Sequence, residues 1–247
     1  MSTPLPVSEF LNPRSVAVIG ASEDQGKFGG RVYRMLLHHR FPGTIYPINP
    51  NRQELFGRRT YPDVASTPTP ADMMVLAIPQ PKVKQAIAEA ARAGVRGAVI
   101  ITARFADAGP EGAQVERQLV EIARAHGMRL LGPNCLGVIS PANNVVLCSS
   151  PALEVDRLIE SPIGLVSQSG ALMATLFDAS YDLGIGFSHC VSVGNQADLE
   201  LSDFLEFLVE DARTRVICAY VEGIKDPARF LAAADGRARR ATSRSPP

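Results

Sequence analysis

A glycine-rich segment near the start of the chain has the composition and position of a phosphate-binding turn. It covers residues 20–30 (GASEDQGKFGG) and follows the β-branched run of residues 15–19 (SVAVI). In open α/β sheets such a turn leads into a helix whose first N–H groups and positive dipole end attract phosphate. The alternative is a tight turn without a ligand. The strand-turn-helix order favours the phosphate site.

The spacing of the glycines excludes two common nucleotide-binding motifs. Five residues separate Gly20 from Gly26, and Phe28 stands where a P-loop carries its magnesium-binding Ser or Thr. Ala21 and Ser22 leave no second glycine at the place that G-x-G-x-x-G requires. The turn therefore predicts a phosphate-containing ligand that is held by neither of these motifs.

The end of the next predicted strand favours coenzyme A over NAD. It reads Ile48-Asn49-Pro50-Asn51-Arg52, without the Asp or Glu that holds a ribose 2′-hydroxyl in dinucleotide sites. Lys27 and Arg52 are available instead to an additional phosphate. Coenzyme A carries a 3′-phosphate on its ribose, whereas NAD would leave both cations unpaired. We therefore expect coenzyme A as the cofactor.

A second candidate phosphate site lies in the latter half of the chain. Ser167-Gln168-Ser169-Gly170 follows an apolar run and opens a segment of helical period. Two hydroxyls at the positive end of a helix suit a phosphoryl group. An ordinary helix N-cap, which needs only one serine, explains the pattern equally well. A serine-hydrolase elbow is excluded because the G-x-S-x-G frame is missing.

The order of the predicted elements indicates an α/β fold with two units. Apolar runs alternate with helical segments, as in doubly wound parallel sheets. We expect a Rossmann-like, coenzyme A-binding domain over residues 1–143 and a flavodoxin-like domain over residues 144–235. The junction falls in the polar stretch of residues 140–162. Residues 236–247 are predicted to be a disordered basic tail.

Composition and charge exclude several classes of partner. Lys plus Arg and Asp plus Glu both equal 25, so the zero net charge gives no field that attracts nucleic acid. No stretch approaches about 18 consecutive apolar residues, and no signal-peptide pattern opens the chain, which predicts a cytoplasmic protein without a membrane partner. The four cysteines lie far apart without a C-x-x-C pair, which favours buried free thiols and no metal site.

Six short motifs together carry a family resemblance. They are the glycine turn, residues 78–81 (IPQP), residues 131–137 (LGPNCLG), residues 165–171 (LVSQSGA), residues 193–198 (VGNQAD) and residues 221–224 (VEGI). In this order and spacing, the set closely resembles the alpha subunit or alpha part of ADP-forming acetyl-CoA synthetases and the related succinyl-CoA synthetase alpha subunit. The resemblance covers nearly the whole chain.

The resemblance implies an acid-thiol ligase. Such enzymes interconvert acyl-CoA, ADP and phosphate with free acid, CoA and ATP through an acyl phosphate and a phosphohistidine. A partner ATP-grasp subunit or domain would bind ATP or ADP with magnesium. Glu222 matches the glutamate that orients the phosphohistidine, and Ser167 and Ser169 become candidate catalytic residues with it. The matching coenzyme A-binding positions are Gly20, Ala21, Ser22, Lys27, Asn49, Pro50, Ile78, Pro79 and Asn134.

The chain departs from the family pattern in two respects. Its histidines are His38, His39, His126 and His189, and none falls in a matching motif. No strand is predicted after the last helix, so we expect a C-terminally truncated ligase domain and no turnover by this chain alone. Arg104 stands where the family usually has glycine, and could either grip a phosphate or obstruct the thiol end of the cofactor.

Two other functions remain open at this point. The chain could be a stand-alone coenzyme A-binding module that regulates a partner. An NAD-dependent oxidoreductase is the third reading, and it rests on fold analogy alone.

Overall fold

The first half of the chain forms a parallel sheet covered by helices. In the computed structural model, residues 5–243 are described, with side chains up to residue 236. The elements up to residue 131 are, in chain order, α1 Ser8–Leu11, β1 Ser15–Ile19, α2 Phe28–His38, β2 Thr44–Ile48, β3 Glu54–Leu55, β4 Arg58–Arg59, β5 Met73–Leu76, α3 Gln80–Arg92, β6 Gly97–Ile100, α4 Pro110–Ala125 and β7 Arg129–Leu131.

This first sheet has the order β2-β1-β5-β6-β7, and all of its strand pairs are parallel. Every residue of β5 and β6 is buried, as expected for strands that have helices on both faces. The strand order reverses direction at β1, since the chain moves outward to β2 and then returns to β5 on the other side. The predicted Rossmann-like α/β fold is confirmed.

The apolar residues of helix α3 recur at helical spacing and pack it against the first sheet. The helix begins at Gln80 with Pro81 in its first turn, where the missing N–H of proline costs no helical hydrogen bond. Val83, Ile87 and Ala90 recur at helical spacing and are fully buried against the sheet. The opposite, polar face is left open to solvent.

The second half of the chain forms a mixed sheet. Its elements are β8 Gly137–Ser140, β9 Val145–Cys148, β10 Ile163–Ser167, α5 Gly170–Asp182, β11 His189–Ser192, α6 Leu201–Glu210, β12 Val216–Tyr220 and α7 Pro227–Ser243. The sheet order is β12-β10-β11-β8-β9. The pairs of β10 with β11 and β12 are parallel, whereas β8 is antiparallel to both β11 and β9.

The boundary that we expected at residue 143 falls between the strands β8 and β9. Both strands belong to the second sheet, so this sheet begins at Gly137 and includes part of the stretch in which the junction was predicted. All of their residues are buried. Their short runs lie among Gly, Pro and Asn, which are typical of loops; β8 and β9 pair with each other, and β8 joins them to the sheet by pairing with β11.

The predicted disordered tail differs from the structure over its first part. The helix α7 continues through residue 236 to Ser243. Ala and Arg dominate this segment and have high helix propensity, which outweighs the absence of an apolar period. The remaining residues, 244–247, lie outside the described part of the chain.

Asp198 joins the two sheets through charged hydrogen bonds. Its carboxylate, which is fully buried, accepts bonds from Arg124 Nε at 2.9 Å and from Arg129 Nε at 2.8 Å. It also accepts the backbone N–H of Leu130 at 2.9 Å. Because Asp198 follows β11 and its partners lie at the end of α4 and the start of β7, these bonds tie the segment after β11 to the amino end of β7.

Candidate functional site

A cleft of about 630 Å³ opens at the carboxyl ends of β1 and β5, where the strand order reverses. Open α/β sheets bind their ligands at such switch points. The cleft is lined by eight of the nine positions predicted for coenzyme A, namely Gly20, Ala21, Ser22, Lys27, Asn49, Pro50, Ile78 and Pro79. The turn, the end of β2 and the end of β5 thus converge on one cavity.

Two glycines allow the turn to fold closely against the helix that follows. Gly20 has φ +92°, a conformation that side chains other than glycine rarely adopt. A β-carbon at Gly29 would lie 2.1 Å from the carbonyl oxygen of Gly20, far inside van der Waals contact. The glycines therefore permit the backbone of the turn to sit directly on the start of α2.

The hydrogen bonds of the turn leave several N–H groups open. Within the turn, the N–H groups of Asp24, Gly26 and Lys27 donate to Ser22 Oγ, Asp24 Oδ1 and the Asp24 carbonyl. The first turn of a helix has no intrahelical acceptor for its N–H groups. Across the described residues, the N–H groups of Ala21 and Ser22 also have no acceptor. These groups suit phosphate oxygens.

Asn49 lines the cleft mainly as a support for the turn. Its Nδ2 donates to the carbonyl oxygen of Ala21 at 2.8 Å, and its Oδ1 accepts the N–H of Asn51 at 2.9 Å. Both ends of the amide are therefore engaged within the protein. An Asp at this position could not donate to Ala21, which explains in physical terms why an amide serves here.

A smaller cavity of about 310 Å³ adjoins the cleft and contains Arg52. It shares Ser22, Lys27 and Asn49 with the main cleft. Lys27 Nζ lies 3.4 Å from Asp24 Oδ2, and both side chains are largely exposed. Such surface pairs are weak, so the ammonium group remains available to a ligand. Lys27 and Arg52 thus line the same cavity, together with Glu23 and Asp24, and their contact with an additional phosphate stays a prediction.

The polar face of α3 also lines the cleft, which sequence reasoning missed. Lys82, Gln85 and Glu89 contribute to its wall. Their spacing of three and four residues places them on one helical face. This spacing, together with the position of α3 directly after β5, is the signal that could have found them. Lys82 is the most relevant, because its exposed ammonium group has no partner among the described residues.

Asn134, the ninth predicted position, does not line the cleft. Its backbone N–H donates to the carbonyl of Thr102 at 3.0 Å, and its side chain donates to Asn195 Oδ1 at 3.3 Å. Thr102 Oγ1 in turn donates to the carbonyl of Ile78, which lines the cleft, at 2.8 Å. Asn134 therefore lies beyond the loop after β6, on the side that faces the second sheet.

The serines at the start of α5 have structural hydrogen bonds. Ser169 is the N-cap, and its Oγ accepts the N–H of Leu172 at 3.2 Å. Ser167 is fully buried, and its Oγ donates to the carbonyl of Ser169 at 2.7 Å. Ser169 is therefore an ordinary N-cap, which is one of the two interpretations that the sequence left open. The remaining N–H groups of the first turn still present a positive helix end.

Gln168 holds the segment that carries Glu222 next to this helix end. Its Oε1 accepts the N–H groups of Glu222 and, at 2.8 Å, of Gly223. Its Nε2 donates to the carbonyl of Gly223. The Glu222 residue is exposed. The structure thus brings the loops after β10 and β12 together and leaves the carboxylate facing solvent.

The two candidate sites are connected through the segment after β7. The N–H of Leu136 donates to Ser192 Oγ at 3.0 Å. A β-carbon at Gly170, the first residue of α5, would lie 3.0 Å from the side chain of Leu136. Contacts therefore run from the cleft through Thr102 and Asn134 to the start of α5.

The four histidines lie away from these sites. His38 and His39 bond to the carbonyls of Val155 and Leu153. His126 closes α4, where its Nδ1 bonds to the carbonyl of Ile122. His189 begins β11 and is fully buried. It lies at the amino end of this strand, whereas Glu222 follows the carboxyl end of β12. In residues 5–236, no cluster of three potential metal ligands occurs.

Thiol chemistry is disfavoured at three of the four cysteines. Burial raises the pKa of Cys135 and of Cys148 to about 12, and it raises the pKa of Cys190 as well. These thiols stay protonated near neutral pH and act as apolar core groups. Cys218 differs from the expected buried thiols, because it is exposed on β12.

Both halves of the chain match models of known protein families. A family model described as a CoA binding domain matches residues 14–141, and one described as a succinyl-CoA ligase like flavodoxin domain matches residues 160–244. The alpha subunit of acetate-CoA ligase (ADP-forming) II from Pyrococcus furiosus is 40% identical over 90% of this chain and 47% of its own length. The chain belongs to the ADP-forming acyl-CoA synthetase family.

Other members of the acyl-CoA synthetase family agree with this assignment. Acetate-CoA ligase (ADP-forming) I from Archaeoglobus fulgidus is 43% identical over 95% of this chain and 33% of its own length. The structure of dinucleotide forming acetyl-coenzyme A synthetase 1 from Ca. Korarchaeum cryptofilum, in complex with phosphate and ADP, superposes with a TM-score of 0.86 and 37% identity. That match covers 92% of this chain and 48% of the other. The chain thus spans about a third to a half of these relatives.

None of the helices in residues 5–243 combines the length and apolar character needed to cross a bilayer.

Proposed function

We propose that this chain binds coenzyme A in the cleft and presents its thiol for the acyl-CoA synthetase reaction. In that reaction, acyl-CoA, phosphate and ADP are interconverted with free acid, CoA and ATP. The observation that carries the proposal is the glycine turn at the switch point, whose open N–H groups face a cavity rimmed by Lys27 and Lys82. This arrangement suits the diphosphate of the cofactor, and Arg52 in the adjoining cavity suits its 3′-phosphate.

The start of α5 and Glu222 are the proposed site of phosphoryl transfer. Phosphate oxygen attacks the thioester carbon, the C–S bond breaks, and the acyl phosphate and the CoA thiol are formed. The positive end of α5 stabilises the negative charge of the phosphoryl group. When a histidine receives the phosphoryl group, Glu222 would accept a hydrogen bond from its other ring nitrogen and so fix its orientation. Gln168 positions Glu222 for this role.

The phosphorylated histidine and the nucleotide site are proposed to come from a partner. The histidines of the described residues lie away from Glu222, and the glycine turn does not have P-loop spacing. An ATP-grasp subunit or domain would bind ATP or ADP with magnesium, and the phosphohistidine would carry the phosphoryl group between the two sites.

Isothermal titration calorimetry of the purified chain tests the proposal directly. We expect CoA to bind, dephospho-CoA to bind about tenfold more weakly because it lacks the 3′-phosphate that Lys27 and Arg52 would contact, and NAD not to bind. Circular dichroism at the same protein concentration confirms that the chain is folded. Absence of CoA binding at millimolar concentration by a folded chain contradicts the proposal. Binding of NAD without CoA binding favours an oxidoreductase.

A stand-alone coenzyme A sensor is the second candidate, and the location of the cleft favours it. All residues that line the cleft lie between Ile19 and Glu89, so the second sheet is not needed to form it. Labelled ATP and a purified ATP-grasp subunit from the same organism distinguish the two functions. Phosphoryl transfer that depends on both chains and on Glu222 supports the ligase. CoA binding without any such transfer supports the sensor.

A further inference from the structure

Arg104 has a backbone conformation that is unfavourable for its side chain. Its φ is +73°, in the left-handed region that glycine adopts at little cost. The conformation is held by Asp107, whose Oδ2 accepts the N–H of Arg104 at 3.0 Å and whose Oδ1 accepts the N–H of Phe105 at 2.9 Å. Strain of this kind concentrates at functional sites. A glycine here would relieve the strain but remove the cation.

The side chain of Arg104 is exposed and carries an unneutralised charge. No carboxylate lies within ion-pair distance of its guanidinium group in the part of the chain with described side chains. The neighbouring Asp107 does not form an ion pair with Arg104. Its carboxylate accepts hydrogen bonds from two backbone N–H groups and, at 3.0 Å, from Asn195 Nδ2. The loop thus fixes the backbone of Arg104 and leaves its guanidinium group exposed, without an ion-pair partner among the described side chains.

The position of the loop determines which part of a ligand it meets. Thr102, two residues before Arg104, donates to the carbonyl of Ile78 on the cleft wall and accepts the N–H of Asn134 on the other side. The loop therefore lies between the cleft and the start of α5. β6 is two strands away from β1, or about 10 Å across the sheet. With the phosphates held at β1 as proposed, a ligand that extends from the cleft towards the start of α5 would bring its thiol and acyl end past this loop.

We propose that Arg104 binds a carboxylate on the acyl group and selects acyl-CoA thioesters that carry a free carboxylate over uncharged ones. This inference rests on the proposed coenzyme A function. A guanidinium group forms paired, charge-assisted hydrogen bonds with a carboxylate, which gives the selectivity a defined geometry. The cofactor phosphates have their own partners in the glycine turn, Lys27 and Lys82, so the carboxylate is the occupant that the geometry favours.

Calorimetry with matched thioesters tests the proposal. Glutaryl-CoA and valeryl-CoA have the same chain length, as do succinyl-CoA and butyryl-CoA, and only one member of each pair carries the carboxylate. We expect the wild-type chain to bind the carboxylated member of at least one pair about tenfold more tightly. Arg104→Gln should abolish this preference and leave the affinity for CoA within about twofold. Arg117→Gln, at an exposed arginine on α4, is the matched control and should keep the preference.

Arg104→Gly provides a second variant in case the glutamine variant does not fold. It removes the cation, relieves the positive φ, and should raise the melting temperature while the preference disappears. Equal wild-type affinity within both pairs overturns the proposal. An equal loss of affinity for CoA and all four thioesters in Arg104→Gln also overturns it, because Arg104 would then bind a cofactor phosphate. A folded wild-type chain that binds neither CoA nor thioesters rejects the proposed function, and this inference with it.

Discussion

Asn195 donates a hydrogen bond from its Nδ2 to the buried carboxylate of Glu116, at 2.8 Å. The same nitrogen donates to Asp107 Oδ1 at 3.0 Å. Asn195 follows β11 in the second sheet, whereas Asp107 lies in the loop after β6 and Glu116 lies on α4. This one amide therefore ties both α4 and the loop after β6 to the second sheet. Burial raises the pKa of Asp107, but hydrogen bonds from Asn195 and from backbone N–H groups outweigh it and hold the pKa below its usual value.

Replacement of this amide by a carboxylate should destabilise the protein. Asn195→Asp places three carboxylates together and removes both donated hydrogen bonds, so we expect the free energy of unfolding to fall by about 1–3 kcal/mol. Urea denaturation followed by circular dichroism measures the change. Asn12→Asp, at an exposed position after α1, adds the same charge and should have almost no effect. Equal destabilisation by both substitutions would show that the Asn195 contacts contribute nothing specific.

Lys82 should contribute to coenzyme A binding although no motif pointed to it. Lys82→Ala removes a cation from the cleft wall, and we expect an affinity loss of about five- to tenfold at low salt that shrinks as salt rises. Calorimetric titration with CoA at two salt concentrations measures both effects. Lys84 is the matched control, since it lies on the same helix outside the cleft and its Nζ donates to Gln118 Oε1 at 2.7 Å. An equal loss in Lys84→Ala would refute a local role for Lys82.

The contact between Gly29 and Gly20 should make Gly29→Ala damaging. A β-carbon 2.1 Å from the Gly20 carbonyl oxygen forces the turn to move, so we expect at least about a tenfold loss of CoA affinity and about 1–3 kcal/mol of stability. Gly236→Ala is the control within a helix. Its β-carbon would meet Val209 at 3.7 Å, and stability should rise by about 0.5–1 kcal/mol. Wild-type affinity in Gly29→Ala would mean that the turn does not need this close contact.

His189 should make the protein less stable in mild acid. Burial lowers its pKa to about 4, an effect that Arg213, 3.3 Å from Nε2, reinforces and Asp211, at 3.4 Å, partly offsets. The unfolded chain therefore takes up a proton near pH 6.5 that the folded chain takes up only near pH 4. Stability is complete above about pH 6.5 and falls below it, by roughly 2 kcal/mol between pH 8 and pH 5.

Urea denaturation between pH 5 and pH 8 measures this dependence, and His189→Gln should reduce its slope. Burial lowers the pKa of His39 too, so part of the slope should remain in that variant. The pKa of Asp211 is itself lowered despite burial, mainly by a hydrogen bond from Thr214, and its contribution is lost only at lower pH. An unchanged slope in His189→Gln would contradict the assignment.

The α/β class, the first sheet and the phosphate turn could be read from the sequence because they depend on local order. A β-branched run, a glycine turn and a helix lie within residues 15–38, and their close spacing leaves few ways to fold. The same holds for Asn49, which follows the next strand directly. The place of β8 and β9 in the second sheet could not be read in this way, because β8 joins that sheet by pairing with β11, some 50 residues further along the chain, and β9 pairs only with β8.

The sequence by itself determined which residues could meet a phosphate, since residue type and position after a strand set the available N–H groups and cations. Only the tertiary structure decided that Lys82 shares the cleft with the glycine turn, that Asn195 ties Glu116 and Asp107 together, and that Arg104 stands unpaired between the two candidate sites. These relationships join segments that are far apart in the chain. Pairing of β1 with β5 brings Lys82 to the glycine turn, and packing of the two sheets creates the other two relationships; neither is encoded in one continuous stretch of sequence.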